Sequence, residues 1–167
     1  MPLYAAGQRI RGSEINALPQ TYRVTTNQVI NNNVNLINAV GLAFQGEASA
    51  VYLVEGLICY KTNAVPGLKL AWQIPAGLTG WGGMQGGAGP NNRIGDWNTV
   101  AYLDDFTATF GLTGDDTSWG ATICSPLAVM TVGTTPGTIQ LRFAQNTAQV
   151  SPTTIFAGSC LRVSRLA

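Results

Sequence analysis

The chain has 167 residues, of which 46% are hydrophobic and only 10% charged, against about 25% charged in ordinary globular proteins. Nine Lys and Arg against eight Asp and Glu leave a formal charge of +1, too little for the basic field that nucleic-acid binding needs. With no His at all, imidazole acid–base catalysis, Ser–His and Cys–His nucleophiles and His-containing zinc sites are excluded. The length fits one domain with a real core, and the composition leans towards a packing or binding protein without a cofactor. Low net charge also leaves a protein poorly protected against association, so part of its surface is expected to be covered in an assembly.

In chain order, residues 1–38 come first and read as an N-terminal arm. They hold Arg9, Arg11 and Arg23, the polar tract Asn31-Asn32-Asn33 and few large apolar groups. Ser13 to Leu18 can form one or two helical turns, with Ser13 as N-cap and Pro19 as the stop. Thr21 to Ile30 is β-prone without clean alternation. Such a segment cannot bury itself, so it is expected to lie against a partner, the plain alternative being a disordered tail.

From residue 39 the signals are those of strands. Val40, Leu42 and Phe44 are expected on one face. Ala50 to Thr62 reads as a long strand, with Gly56 marking a bulge where the period slips. Gly67 to Ile74 alternates Leu68, Leu70, Trp72 and Ile74 against Lys69, Ala71 and Gln73. Val100 to Phe110 is β-rich but broken by Asp104-Asp105. Gly120 to Val132, Gly137 to Ala144 and Thr153 to Val163 complete the set, with Ile139, Leu141 and Phe143 facing away from Gln140 and Arg142. Pro-Gly turns punctuate the runs at Pro66-Gly67 and Pro136-Gly137. About eight strands at this spacing over residues 39–167 predict an all-β fold, a jelly-roll β-sandwich; an immunoglobulin-like sandwich lacks its Cys–Trp–Cys pattern.

Residues 78–98 interrupt the strands with Gly80-Trp81-Gly82-Gly83-Met84-Gln85-Gly86-Gly87-Ala88-Gly89-Pro90, predicted as a long loop too rich in Gly for a strand. It lacks the Lys and the helix of a phosphate-cradling motif. Contact with a neighbouring subunit is the better use, with Trp81, Met84 and Trp97 as candidate interface or ligand residues. Asp96, Asp104-Asp105 and Asp115-Asp116 are the candidates for a carboxylate pair or a calcium site. Adjacent Asp residues in a strand point to opposite faces, so neither catalysis nor a metal is assigned to them. Cys59, Cys124 and Cys160 have no CxxC spacing and read as small apolar residues. The start lacks a signal sequence and no breaker-free apolar stretch spans a bilayer, so the expectation is a protein kept in the cytoplasm where it is made, with no membrane partner.

Tyr4-Ala5-Ala6-Gly7-Gln8-Arg9-Ile10 and Ser13-Glu14-Ile15-Asn16-Ala17-Leu18-Pro19 resemble the opening of virion structural proteins of actinobacterial tailed phages. Gly137 to Gln145 and Ala157-Gly158-Ser159-Cys160-Leu161-Arg162-Val163 resemble their ending, and Val51 to Val54 and Trp72 to Gly77 fall where they have a strand and a turn. The resemblance implies a capsid decoration (cement) protein on the outer surface of the virion. It would be a homotrimer whose arm grips the major capsid protein through Tyr4, Gln8, Arg9, Arg11, Ile15, Leu18, Tyr22 and Arg23. The alternative it leaves open is a minor tail protein, a receptor- or glycan-binding module.

Overall fold

The computed structural model describes residues 18–86, 99–103 (backbone only), 106–112, 114 and 121–167. The described residues form an all-β sandwich. Its strands are β1 (Gln20–Arg23), β2 (Gln28–Ile30), β3 (Ile37–Gly46), β4 (Val51–Lys61), β5 (Leu68–Gln73), β6 (Thr79–Gly86), β7 (Thr99–Leu103), β8 (Phe110–Leu112), β9 (Thr122–Thr131), β10 (Gly137–Ala144), β11 (Thr153–Ile155) and β12 (Cys160–Arg165). One sheet of eight strands runs β1-β12-β4-β9-β6-β7, with β11 joining β4 and carrying β2; the other, of four, runs β3-β10-β5-β8. Every pairing is antiparallel.

Alternation places the core between the sheets, because successive strand residues point to opposite faces. Tyr52, Val54, Ile58 and Tyr60 of β4, with Leu161 and Val163 of β12 and Met130 of β9, meet Leu42 and Phe44 of β3, Leu68, Leu70 and Trp72 of β5, and Ile139, Leu141 and Phe143 of β10. Phe44 locks the layers together, its ring 6.0 Å from Tyr22 and 5.4 Å from Tyr52. The buried hydroxyls of Thr62 and Thr153 lie 2.7 Å apart and share the Gly67 carbonyl, which keeps that polar pair satisfied inside the sandwich.

Several expectations need correction. The chain joins the sandwich well before residue 39: β1 pairs with β12 and β2 with β11, and Val24 and Ile30 are core residues. These strands are so short that each lends only one or two side chains inward, too few to show alternation. Ser13 to Ala17 lie outside the described residues. Gly56 marks no bulge, since Val54, Ile58 and Tyr60 stay on one face and pair with Ala128, Cys124 and Thr122 in unbroken register. Gly56 makes room instead, for a Cβ there would overlap the ring of Pro126 and press on Leu161.

The bulge lies in β3. Its pairing with β10 slips between Gln140 and Arg142, Gly41 takes a φ of 89°, and Val40 turns out to solvent at 70% exposure while Leu42 and Phe44 stay buried. The carboxamide of Gln28 bonds both the N–H and the C=O of Val40 at 2.8 Å, satisfying main-chain groups on an edge strand of the smaller sheet.

Burial pushes the Tyr60 phenol and the Cys124 thiol well above their ordinary values, aided by Cys124 beside Tyr60 and Cys59 beside Cys124. A folded-state value raised above the unfolded one contributes stability that is complete below the unfolded value and lost as pH rises through the folded value. Thermal melts are therefore expected to weaken progressively above about pH 9, where unfolded Cys and then Tyr release protons that the folded chain keeps. Between about pH 6 and 8 the melting temperature should stay flat, since the chain has no His. A melting temperature unchanged from about pH 7 to 11 would contradict this burial.

Candidate interaction surfaces

The Gly-rich segment is not the loop expected of it. Residues 79–86 form strand β6, paired on one side with β9 and on the other with β7. Glycine serves this strand because its inner face has no room: a Cβ on Gly82 would sit 2.8 Å from the Phe106 ring, and one on Gly86 2.9 Å from the Cys124 Cβ. Alternation then separates two of the three candidate residues. Met84 points inward and is 2% exposed, whereas Trp81 points outward and is 77% exposed. Trp97 lies outside the described residues, as do Asp96, Asp104, Asp105, Asp115 and Asp116. Among the described residues no three His, Cys, Asp or Glu side chains converge on a possible metal position.

Trp81 heads a row that crosses the eight-stranded sheet on its outer face. Its register partner is Val129, whose partner on the other side is Leu53, followed by Ser164. The next row runs Gly83, Leu127, Glu55, Arg162, Thr21. Leu57, paired with Cys160, and Ile123, paired with Cys59, extend the apolar surface towards the other end. Leu127, Leu57 and Ile123 are all exposed. An antiparallel sheet with one solvated face normally alternates apolar-in and polar-out; strands covered on both faces read as near-continuous apolar runs. Val51-Tyr52-Leu53-Val54 and Leu57-Ile58-Cys59-Tyr60 of β4, and Leu127-Ala128-Val129-Met130 of β9, are runs of the second kind. That signal was present in the sequence, but it becomes a surface only once β4 and β9 are known to be neighbours.

Cys59 and Cys160 lie on this outer face, Cys124 lies beneath it, and all three are free thiols. Burial raises the Cys59 thiol, and so does the neighbouring Cys160. This keeps Cys59 protonated and a poor nucleophile.

The expected arm residues divide. Tyr4, Gln8, Arg9, Arg11 and Ile15 lie outside the described residues. Leu18 is exposed, and Arg23 faces outward beside Cys160. Tyr22 turns inward and lines a shallow cleft of about 100 Å³ with Leu18, Gln20, Phe44, Gln45, Glu47, Tyr52, Val163 and Arg165. The polar groups there are largely engaged with one another: Tyr22 donates to the Gln20 side chain at 2.7 Å, the Glu47 N–H donates to the Tyr52 hydroxyl at 3.1 Å, and Arg165 meets Glu47 at 2.6 Å. Burial and the adjacent Tyr52 raise the Tyr22 phenol. Tyr22 therefore belongs to the sandwich seam rather than to a gripping arm.

No family model and no curated protein matches the sequence. Among solved structures the chain is similar to the tripod of the baseplate of bacteriophage Tuc2009, at 13% identity and a TM-score of 0.37, covering 98% of this chain and 72% of that one. It is also similar to a chain in a structure of infectious bursal disease virus, Gx strain, at 14% identity and a TM-score of 0.35, covering 90% of this chain and 38% of that one. At these values neither likeness assigns a family or a role.

Proposed function

We propose that the chain is a virion structural protein of a tailed phage: a capsid decoration protein on the outer shell, homotrimeric, that bridges major capsid subunits and stabilises the shell. The observation that carries this reading is the strand order. β1-β12-β4-β9 packs on β3-β10-β5-β8, an order that supports a jelly roll, the double Greek key found in viral capsid and lectin domains. The β6–β7 hairpin widens one sheet, and the short pair β2 and β11 extends it at the other end. The step from architecture to role is one of analogy, and the resemblance of both chain ends to phage virion proteins supports it.

Capsid contact is assigned to Tyr4, Gln8, Arg9, Arg11 and Ile15, ahead of β1. Extended segments bind by adding main-chain hydrogen bonds to a partner sheet, and three per trimer act with avidity, so each can be weak. Cosedimentation with capsids stripped of this protein is expected to saturate at a fixed multiple of capsid subunits. Removing residues 1–17 should leave a folded protein that no longer cosediments; the cut cannot extend to residue 38, because β1 and β2 are part of the sandwich. Unchanged binding by the truncated protein would end the arm's role.

A second reading, a glycan-binding module of the tail, is favoured by the exposed indole of Trp81, an aromatic surface of the kind that anchors interfaces and stacks on rings. It predicts no capsid binding, and glycan binding that disappears in Trp81→Ala.

A further inference from the structure

We infer that the outer face of β6, β9, β4 and β12 is the surface through which copies of this chain pack on one another. The inference rests on the self-association contained in the reading above and names one contact of it: a face laid on its like pairs two copies by a two-fold axis, and the trimer of that reading uses a different contact.

Three features point to a second copy as the occupant. The first is the two-sided apolar character of β4 and β9, which belongs to strands covered on both faces. The second is area. Four strands about 4.8 Å apart, each covered for about eight residues, offer a face of roughly 500 Å². Two such faces together reach the roughly 1,000 Å² at which a specific protein interface begins. Trp81, Leu53, Val129, Leu127 and Leu57 provide a connected apolar centre for it, with an exposed Trp as the kind of residue that dominates binding.

The third feature is charge. Glu55 and Arg162 face each other across β4 and β12, yet the ion pair found among the described residues is Arg165–Glu47 instead. The face thus presents one acid, Glu55, beside a base, Arg162, that is not its close partner, with Arg23 and Lys61 exposed on the same side of the sheet. An anionic lipid surface would answer the bases but repel Glu55. A second copy carries both, so Glu55 of one subunit can meet Arg162 of its neighbour, with the apolar rows beside them closing over water. Such crossed pairs chiefly set orientation and specificity.

The test uses the full-length protein, under reducing conditions because its three thiols are free, and without capsids. Sedimentation equilibrium should give an oligomer for the wild type and a monomer for the double variant Trp81→Ser, Leu127→Lys. Both side chains are exposed, so the melting curve of the double variant taken at low concentration should match the wild type. Glu55→Arg and Arg162→Glu should each weaken association about tenfold or more, and mixing the two single variants should restore most of it. Restoration between two different chains is a result that neither surface damage nor a pair within one subunit would produce.

A wild type that stays monomeric at its highest soluble concentration would overturn the inference. So would a double variant that keeps the wild-type mass. A monomeric wild type that still saturates capsids would leave the virion role standing while removing this face as a self-contact. An oligomer that ignores capsids would do the reverse.

Discussion

Gly80→Ala is expected to lower the melting temperature by about 10 °C, a large effect for a single added methyl group. Gly80 sits in β6 opposite Met130 at a φ of 144°, a region that side-chain-bearing residues rarely adopt. A Cβ there would overlap the carbonyl oxygen of Val129 and crowd the Met130 Cα. Both obstacles are backbone, so neither can swing aside. Backbone strain of this type costs about 1–3 kcal/mol, and forcing apart two packed strands adds about 1–3 kcal/mol more. A total of about 3–4 kcal/mol, at roughly 2–4 °C per kcal/mol for a chain of this size, gives the expected shift.

The same substitution should loosen self-association as well, because Trp81 is the next residue and Val129, the next member of its apolar row, lies on β9. Gly111→Ala is the control. There a Cβ would come 3.2 Å from the Asn146 side-chain amide, which can move, and the expected loss is under about 1 kcal/mol. Equal melting temperatures for the two variants would mean that β6 does not lie against β9 as described.

Gln140→Leu is expected to destabilise by about 3 kcal/mol, although leucine is the commoner resident of a buried strand position. The Gln140 Nε2 donates to the carbonyls of Ala39, Leu42 and Leu141, at 2.9, 3.1 and 2.6 Å. Its two N–H bonds are thereby shared among two carbonyls of the irregular part of β3, Ala39 and Leu42, and the Leu141 carbonyl of β10 itself. Leucine removes the donor and leaves those acceptors dry, at about 1–3 kcal/mol for each group left without a partner.

Gln140→Glu separates this explanation from simple packing. It preserves shape, but an ionised carboxylate offers acceptors only and would face carbonyl oxygens in a buried place. Its loss should exceed that of leucine at about pH 7 and shrink on acidification, as the protonated acid regains a donor. Chemical denaturation at about pH 7 and pH 4.5, each against the wild type at the same pH, reads this directly. A glutamate variant less affected than the leucine variant near neutral pH would refute the donor role.

Gln140 also shows where sequence reading stops. Alternation along β10 correctly sets Gln140 opposite Ile139, Leu141 and Phe143, which are fully buried. A polar residue on the outer face of an edge-adjacent strand reads as solvated. It is buried at 8% exposure because the bulge in a different strand folds over it, and alternation within β10 carries no information about β3. Val40 fails for the same reason: its spacing to Leu42 and Phe44 is right, and the irregularity between them reverses its face.

The class of the fold and most of its strands were legible in the amino-acid order alone. Period-two patterning in residues 68–73 and 137–144 needs only local chain geometry to become strands, and those strands put the expected residues into the core. The lack of His and the scarcity of charge restrict the chemistry in the same way, as properties of composition that no folding can alter. Partnership between strands is a different matter, because it depends on residues far apart in the chain. β1, β2 and β6 have weak or misleading local signals, and become strands because β12, β11 and β9 offer them hydrogen-bonding edges and a surface to cover. The apolar outer face is of this kind too. Each of its rows is drawn from strands distant in sequence, and a surface assembled from long-range pairings exists only once the sheet has closed.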